Sequence, residues 1–329
     1  MPARNSTTVA LSTSCLLAAA LSAGCSGSNS SSAEQGEPTG SPALSQAQAQ
    51  QVLASYTTAA NQLERRLNGG VLPTFEADPQ LTMDAAAVKF RRAVKQKPSK
   101  IEFSGSKFYI PRVNAYPHWF AASATVGQGQ RAVRHAMLFT QAKQGAPWLL
   151  TAAPFQQDDP LAGVALDSEG LATPVAQDAD GLAIAPKDLP KTHAALLTDG
   201  PNAPGAATLA DGSKTSESYK ALQQGQKTLS GRGVTMSSRF STTPYSVYAL
   251  RTKDQGAVVW YVLKQNEVYS ASQPGKLTVG GDLVGLTQAK SARSRMDTTV
   301  LVQYLATVPQ KGRANVTGMY RKAVAATVA

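Results

Sequence analysis

Residues 119–140 read "WFAASATVGQGQRAVRHAMLFT". Two apolar runs rich in aromatic and β-branched residues flank Gly127-Gln128-Gly129. The stretch is therefore expected to fold as strand, turn, strand. A second stretch with the same outline stands at 247–263, "VYALRTKDQGAVVWYVL", with Gly256 in its turn. Each hairpin follows segments of helical period. Helices first and antiparallel strands after, twice over, make the expected fold class α+β.

Upstream of the first hairpin, residues 45–70 read "SQAQAQQVLASYTTAANQLERRLNGG". Val52, Tyr56, Ala59, Leu63 and Leu67 recur at helical spacing. Ser45 is the expected N-cap, Asn68-Gly69-Gly70 the stop, and Arg65 and Arg66 suit the negative end of the helix dipole. A second helix is expected over 83–96, closed by Pro98. Strands are expected at 108–110, 119–126, 135–140 and 148–153. Residues 158–190 are acidic and rich in Gly and Pro. Beyond them, helices are expected at 191–197 and 215–226, and strands at 234–240, 247–251, 258–264, 267–270, 299–308 and 314–324.

A chain of 329 residues exceeds the size at which a single core usually stops growing, about 250–300 residues. The expected division is a first α+β domain at 43–160, a linker at 161–190 and a second α+β domain at 191–329. Helices followed by a curved antiparallel sheet resemble cystatin-like rolls, including nuclear-transport-factor-like domains. That resemblance implies two such rolls, each with helices packed on its sheet. It carries no function, because one architecture hosts many activities.

The N-terminal segment carries an address. Arg4 and a short apolar run through Ala20 suit a signal peptide rather than a membrane span, which needs about 20 apolar residues. The run ends in Leu21-Ser22-Ala23-Gly24-Cys25, which resembles the lipobox of bacterial lipoproteins. The resemblance implies a signal peptide over 1–24, recognition through Leu21, Ser22, Ala23 and Gly24, and a diacylglyceryl group on the Cys25 thiol. Leu21 stands four places before the cysteine, with Ser22 in the more usual aliphatic slot. Residues 26–42, "SGSNSSSAEQGEPTGSP", lack large apolar side chains and are expected to act as a disordered tether. Cys15 and Cys25 are the two cysteines. Processing before Cys25 leaves one, which excludes an intramolecular disulfide and a cysteine-rich metal site.

Across the folded part the chain resembles a family of uncharacterised actinobacterial lipoproteins. The matching features are "YPHWFAAS" at 116–123, "DGLAIAPKDLP" at 180–190 and the 247–263 hairpin, together with the Cys25 lipobox. This resemblance implies a membrane-anchored place on the extracytoplasmic face and no chemistry.

The composition is 42% hydrophobic and 16% charged, with 32 Lys+Arg against 21 Asp+Glu and a formal net charge of +11. The excess favours anionic neighbours, either envelope polymers or lipid headgroups. Nucleic acid is excluded by the export signal. The densest basic run is "KFRRAVKQKPSK" at 89–100, in which Arg91 and Lys95 share a helical face. The chain offers few motifs with catalytic chemistry. Ser104-Gly105-Ser106-Lys107 matches Ser-x-x-Lys but precedes an aromatic strand and lacks partner motifs. Gly127 and Gly129 suit a hairpin, not a dinucleotide loop. His118, His135 and His193 form no metal-binding pattern. His118 and Trp119 are the candidate pocket edge, and Arg91 and Lys95 the candidate surface. No cofactor or metal is expected. The leading expectation is a binding or interaction module at the envelope, with an envelope hydrolase or transferase as the alternative.

Overall fold

The computed structural model describes residues 40–156, 158–273 and 277–329. The segment expected to be a signal peptide, Leu21 to Gly24, Cys25 and the expected tether up to residue 39 lie outside the described residues. Helix α1 (Gln46–Arg66) begins where expected: Ser45 and Gln48 form a reciprocal capping box. It ends at Leu67 in the left-handed conformation. After a 3-10 turn at Gly69–Thr74 comes α2 (Gln80–Ala93). The strands β1 (Phe103–Tyr109), β2 (His118–Val126), β3 (Val133–Gln141), β4 (Leu149–Ala152) and β5 (Phe155–Gln156) follow. The second set is α3 (Leu189–Asp199), α4 (Ser216–Ser230), β6 (Val234–Thr242), β7 (Tyr248–Arg251) and β8 (Ala257–Ala271). It closes with β9 (Leu277–Thr278), β10 (Ser291–Ala292), β11 (Arg295–Val308) and β12 (Asn315–Val328).

The fold is α+β, built on one large antiparallel sheet. Its order is β1-β2-β3-β5-β12-β11-β8-β6, with β4 added on β3 and β7 on β8. Among the described residues, strand pairing within the sheet crosses between the halves through the two residues of β5. Phe155 pairs with His135 on one side and Met319 on the other, and Gln156 pairs with Arg134 and Gly318. At Gly318 a Cβ would stand 2.9 Å from the Phe155 carbonyl oxygen and 3.0 Å from Leu305 Cβ. Only glycine admits the three strands at that spacing.

The sheet therefore runs across the boundary expected at 161–190, and the described residues from 40 onward belong to one compact unit. That segment is woven in rather than spaced out. It bridges Pro111 through Ala172 and Leu250 through Pro174, and it buries Leu161, Val164 and Ala172. The core explains why. Trp119, Leu138, Trp260 and Leu305, drawn from both halves, share one apolar cluster, and the Trp260 indole donates to the Ala136 carbonyl at 3.1 Å. A second cluster lies under α1, and a third under α3 beside β8 and β11.

The strands expected at 258–264 and 267–270 are one strand, β8. Gln265 and Asn266 look like a turn in sequence. In the sheet, Gln265 is flanked by Phe240 and Val300 and donates to Ser238 Oγ at 2.9 Å. Pairing on both sides overrides the local polarity. The last residues of the expected tether are held in the fold, because Arg112 donates to the Gly40 carbonyl at 3.1 Å and pairs with Pro42.

Candidate functional site

Two recesses share α1 and the segment that leaves α2. The first is a cavity of about 300 Å³ lined by Tyr56 and Glu64 of α1, Asp84 and Arg91 of α2, Glu76 and Tyr320. Glu76 follows the 3-10 turn and is pinned by its backbone neighbours: Leu150 N–H donates to Phe75 O at 3.0 Å, and Ala77 N–H to Leu150 O at 2.9 Å. Gln80 and Asp84 are one helical turn apart on α2, so both side chains face the same way.

The protonation of this cluster can be read from one backbone group. Ala153 N–H can only donate, and it donates to Gln303 Oε1 at 2.8 Å. That orients the Gln303 amide, whose Nε2 donates to Gln80 Oε1 at 2.9 Å. Gln80 Nε2 then donates to Asp84 Oδ2 at 3.0 Å, and the Tyr320 hydroxyl donates to Asp84 Oδ1 at 3.0 Å. Asp84 is thus an acceptor at both oxygens, which suits a carboxylate. Glu76 is 2% exposed and receives no such donors. Burial and the neighbouring Asp84 push its carboxyl far above the usual range, so Glu76 carries the proton the pair shares. Burial raises Asp84 too, and its hydrogen bonds from Gln80 and Tyr320 oppose that.

On the rim, Arg91 pairs with Glu64, and Ser99 Oγ donates to Glu64 Oε2 at 3.4 Å. Residues 96–101 cross α1 here. Asn61 clasps this crossing through both backbone groups of one residue: Ile101 N–H donates to Asn61 Oδ1, and Asn61 Nδ2 donates to Ile101 O, each at 2.8 Å.

The second recess lies on the other side of the crossing. It is an open groove of about 1020 Å³ between α1 and β1. Leu53, Phe103 and Phe108 form its floor, while Gln50, Thr57, Ser104, Ser106 and Gln128 supply amides and hydroxyls. Its charged lining residues, Lys100 and Glu102, are paired with each other. β1 ends the described sheet, and the register shift between Ser104 and Lys107, with Gly105 at φ +61°, breaks its edge. Such a bulge and an edge lysine discourage pairing with another strand.

A family profile described as a domain of unknown function, DUF8094, matches residues 40–328. The chain belongs to this family. Within that span lie both recesses of the DUF8094 domain. The chain is 25% identical over 326 residues to an uncharacterized lipoprotein of Streptomyces coelicolor, covering 94% of this chain and 91% of that protein. It is 25% identical over 259 residues to another from the same species, covering 77% of each. It is 26% identical over 246 residues to one from Streptomyces avermitilis, covering 72% of this chain and 71% of that one. No solved structure matches the fold at a significant level. The expected actinobacterial family is thus borne out.

The DUF8094 domain scatters the four candidate residues. Arg91 lines the carboxyl cavity. Lys95 is exposed just past α2, at φ +51°. His118 is half-buried at the start of β2 and stacks on Tyr116 with centroids 3.9 Å apart. Trp119 is core, packed edge-on against Tyr248 at 5.1 Å. Ser104 and Ser106 of the Ser-x-x-Lys match sit on an extended edge strand rather than at a helix start. Glu76, Asp84 and Tyr320 escaped sequence reading because Tyr320 stands 236 residues from Asp84. One signal was present. Gln80, Asp84 and Val88 fall on a single stripe of α2, so an acid shares the buried face.

Proposed function

We propose that this protein is a lipid-anchored binding module on the extracytoplasmic face of a bacterial cell membrane, held through diacylglyceryl-Cys25. The lipobox-like Leu21-Ser22-Ala23-Gly24-Cys25 and relatives that are named lipoproteins support the anchor. Among the described residues, no helix is long and apolar enough to cross a membrane. Metabolic labelling with a fatty-acid analogue tests it: labelling should be lost in Cys25→Ala, and retained labelling would refute the anchor.

The α1–β1 groove carries the binding reading. Its volume is at the upper end of the range for ligand pockets. Uncharged donors and acceptors around two phenylalanine rings fit a chain rich in hydroxyls and amides, as wall polymers are. A solubilised peptidoglycan digest should be retained by the immobilised protein and released when Ala54→Trp fills the groove.

The carboxyl cavity favours a second reading, an envelope hydrolase or transferase, because two carboxyls sharing a proton can act as acid and base. Against it, both Asp84 oxygens are engaged and Glu76 Oε2 is sealed from solvent. We read the pair as a clasp that ties α2 to β11 and β12. The two halves, each with two helices before its strands, are read as two cystatin-like rolls fused through β5.

A further inference from the structure

We propose that the basic ends of α1 and α2 form an apron that docks the folded unit on an anionic lipid surface. This rests on the lipid-anchored reading and adds a second point of contact. Arg65 and Arg66 close α1, and Lys89, Arg92, Lys95 and Lys97 close or follow α2; all are exposed. The Arg91–Glu64 pair and the Asn61 clasp on Ile101 bring the two ends together.

The local carboxylates are already engaged. Glu64 is taken by Arg91, Glu102 by Lys100, and Asp282 by Arg321 and Lys322. Among the described residues none of the apron cations forms an ion pair with them. Two helix C-termini add about half a negative charge each, which these cations outweigh. Val94, in the middle of the basic run, is 46% exposed. An apolar side chain ringed by cations fits the headgroup boundary of a bilayer better than a fully hydrated polymer.

The geometry of attachment agrees. The described chain starts at Gly40, near the N-terminal end of α1, and the apron sits at the other end of that helix. Its 21 residues span about 30 Å. The fifteen residue-to-residue steps from Cys25 to Gly40 reach at most about 50 Å. A unit anchored at Cys25 can therefore lay α1 along the surface, and Glu64 is the one acidic residue on that helix.

The test uses the chain from Ser26 onward, which keeps the whole compact unit and has no acyl chain. It should co-sediment with phosphatidylcholine vesicles containing phosphatidylglycerol and not with pure phosphatidylcholine, and 0.5 M salt should release it. Each basic residue near such a surface strengthens binding about five-fold. The quadruple variant Arg65→Glu, Arg66→Glu, Arg92→Glu, Lys95→Glu should lose at least ten-fold in partitioning with unchanged circular dichroism. Reversing Lys187, Lys220, Lys227 and Lys311 makes the same charge change elsewhere and should retain most of the binding. Equal loss in both variants, equal binding to neutral vesicles, or binding to soluble poly(glycerol phosphate) but not to vesicles would each overturn the proposal. None of these outcomes depends on Cys25, so fatty-acid labelling judges the anchor separately.

Discussion

The carboxyl cavity and the α1–β1 groove are built from the same helix and the same crossing segment, yet they differ in kind. The cavity holds the most perturbed titrating groups near α1: both Asp84 oxygens are engaged by Gln80 and Tyr320, and Glu76 Oε2 and Arg91 Nε are buried without a partner. The groove holds ordinary amides and hydroxyls that face outward. Unusual protonation here marks where the fold is tied, and the open side chains mark where a ligand fits. Perturbed carboxyls point to a functional site only when their oxygens can be reached.

The contrast breaks most sharply at Asp84. Asp84→Ala strands Gln80, Tyr320 and Glu76 without their acceptor, and should cost about 3 kcal/mol or more in urea denaturation. Next comes the shared proton. The unfolded Glu76 ionises near its ordinary value of 4.5, while the folded pair keeps its proton far higher. The folded state then binds more protons, so stability falls as pH rises through that window. His135 and His193, both held down to about 4 by burial, are neutral in the folded state throughout this window; the unfolded histidines, with an ordinary value of 6.5, lose their remaining protons just above pH 7, so the Glu76 slope is read cleanly from about pH 8. Between pH 7 and 9 the wild type should lose up to about 1.4 kcal/mol per pH unit. Glu76→Gln, a neutral isostere, should flatten that slope and be the more stable protein at pH 9. Chemical denaturation at a series of pH values reads both.

The C-terminal half has a buried polar cluster of its own. Under α3, His193 Nε2 meets the Lys214 carbonyl at 2.8 Å and His193 Nδ1 meets the Tyr261 hydroxyl at 2.8 Å. This cluster is as buried as the carboxyl pair but shares no extra proton. Tyr261→Phe should cost about 1–2 kcal/mol and leave the slope between pH 7 and 9 unchanged. The smallest stability effect is expected in the groove. Ala54→Trp, on the exposed face of α1, should shift stability by less than about 0.5 kcal/mol while abolishing retention of wall fragments.

Much of the fold was legible locally. The Ser45 N-cap, a helix stop at Asn68-Gly69-Gly70 and the two hairpins follow from spacing and turn residues alone, whereas the Gln48 half of the capping box and the left-handed Leu67 are seen in the structure. The union of the halves was not. It depends on Gly318 admitting Phe155 at close range and on Trp260 reaching Ala136, contacts that no window of sequence contains. Gln265 and Asn266 looked like a turn because their polarity is answered only by strands far away in the chain. The groove left a faint trace in Phe108, which reads as a strand residue, while Phe103 lies before the strand expected at 108–110 and joins it only in the structure. The clasp left one in the acid on the buried stripe of α2.

The most direct test places the two recesses in competition. Backbone amide shifts of the isotopically labelled chain from Ser26 onward can be followed while a soluble peptidoglycan digest is added. The binding account expects changes confined to residues 50–57, 103–108 and 126–128, absent in Ala54→Trp, with the digest recovered intact. Changes centred on Glu76, Asp84 and Tyr320, with fragments cleaved by wild type but not by Asp84→Asn, would contradict it.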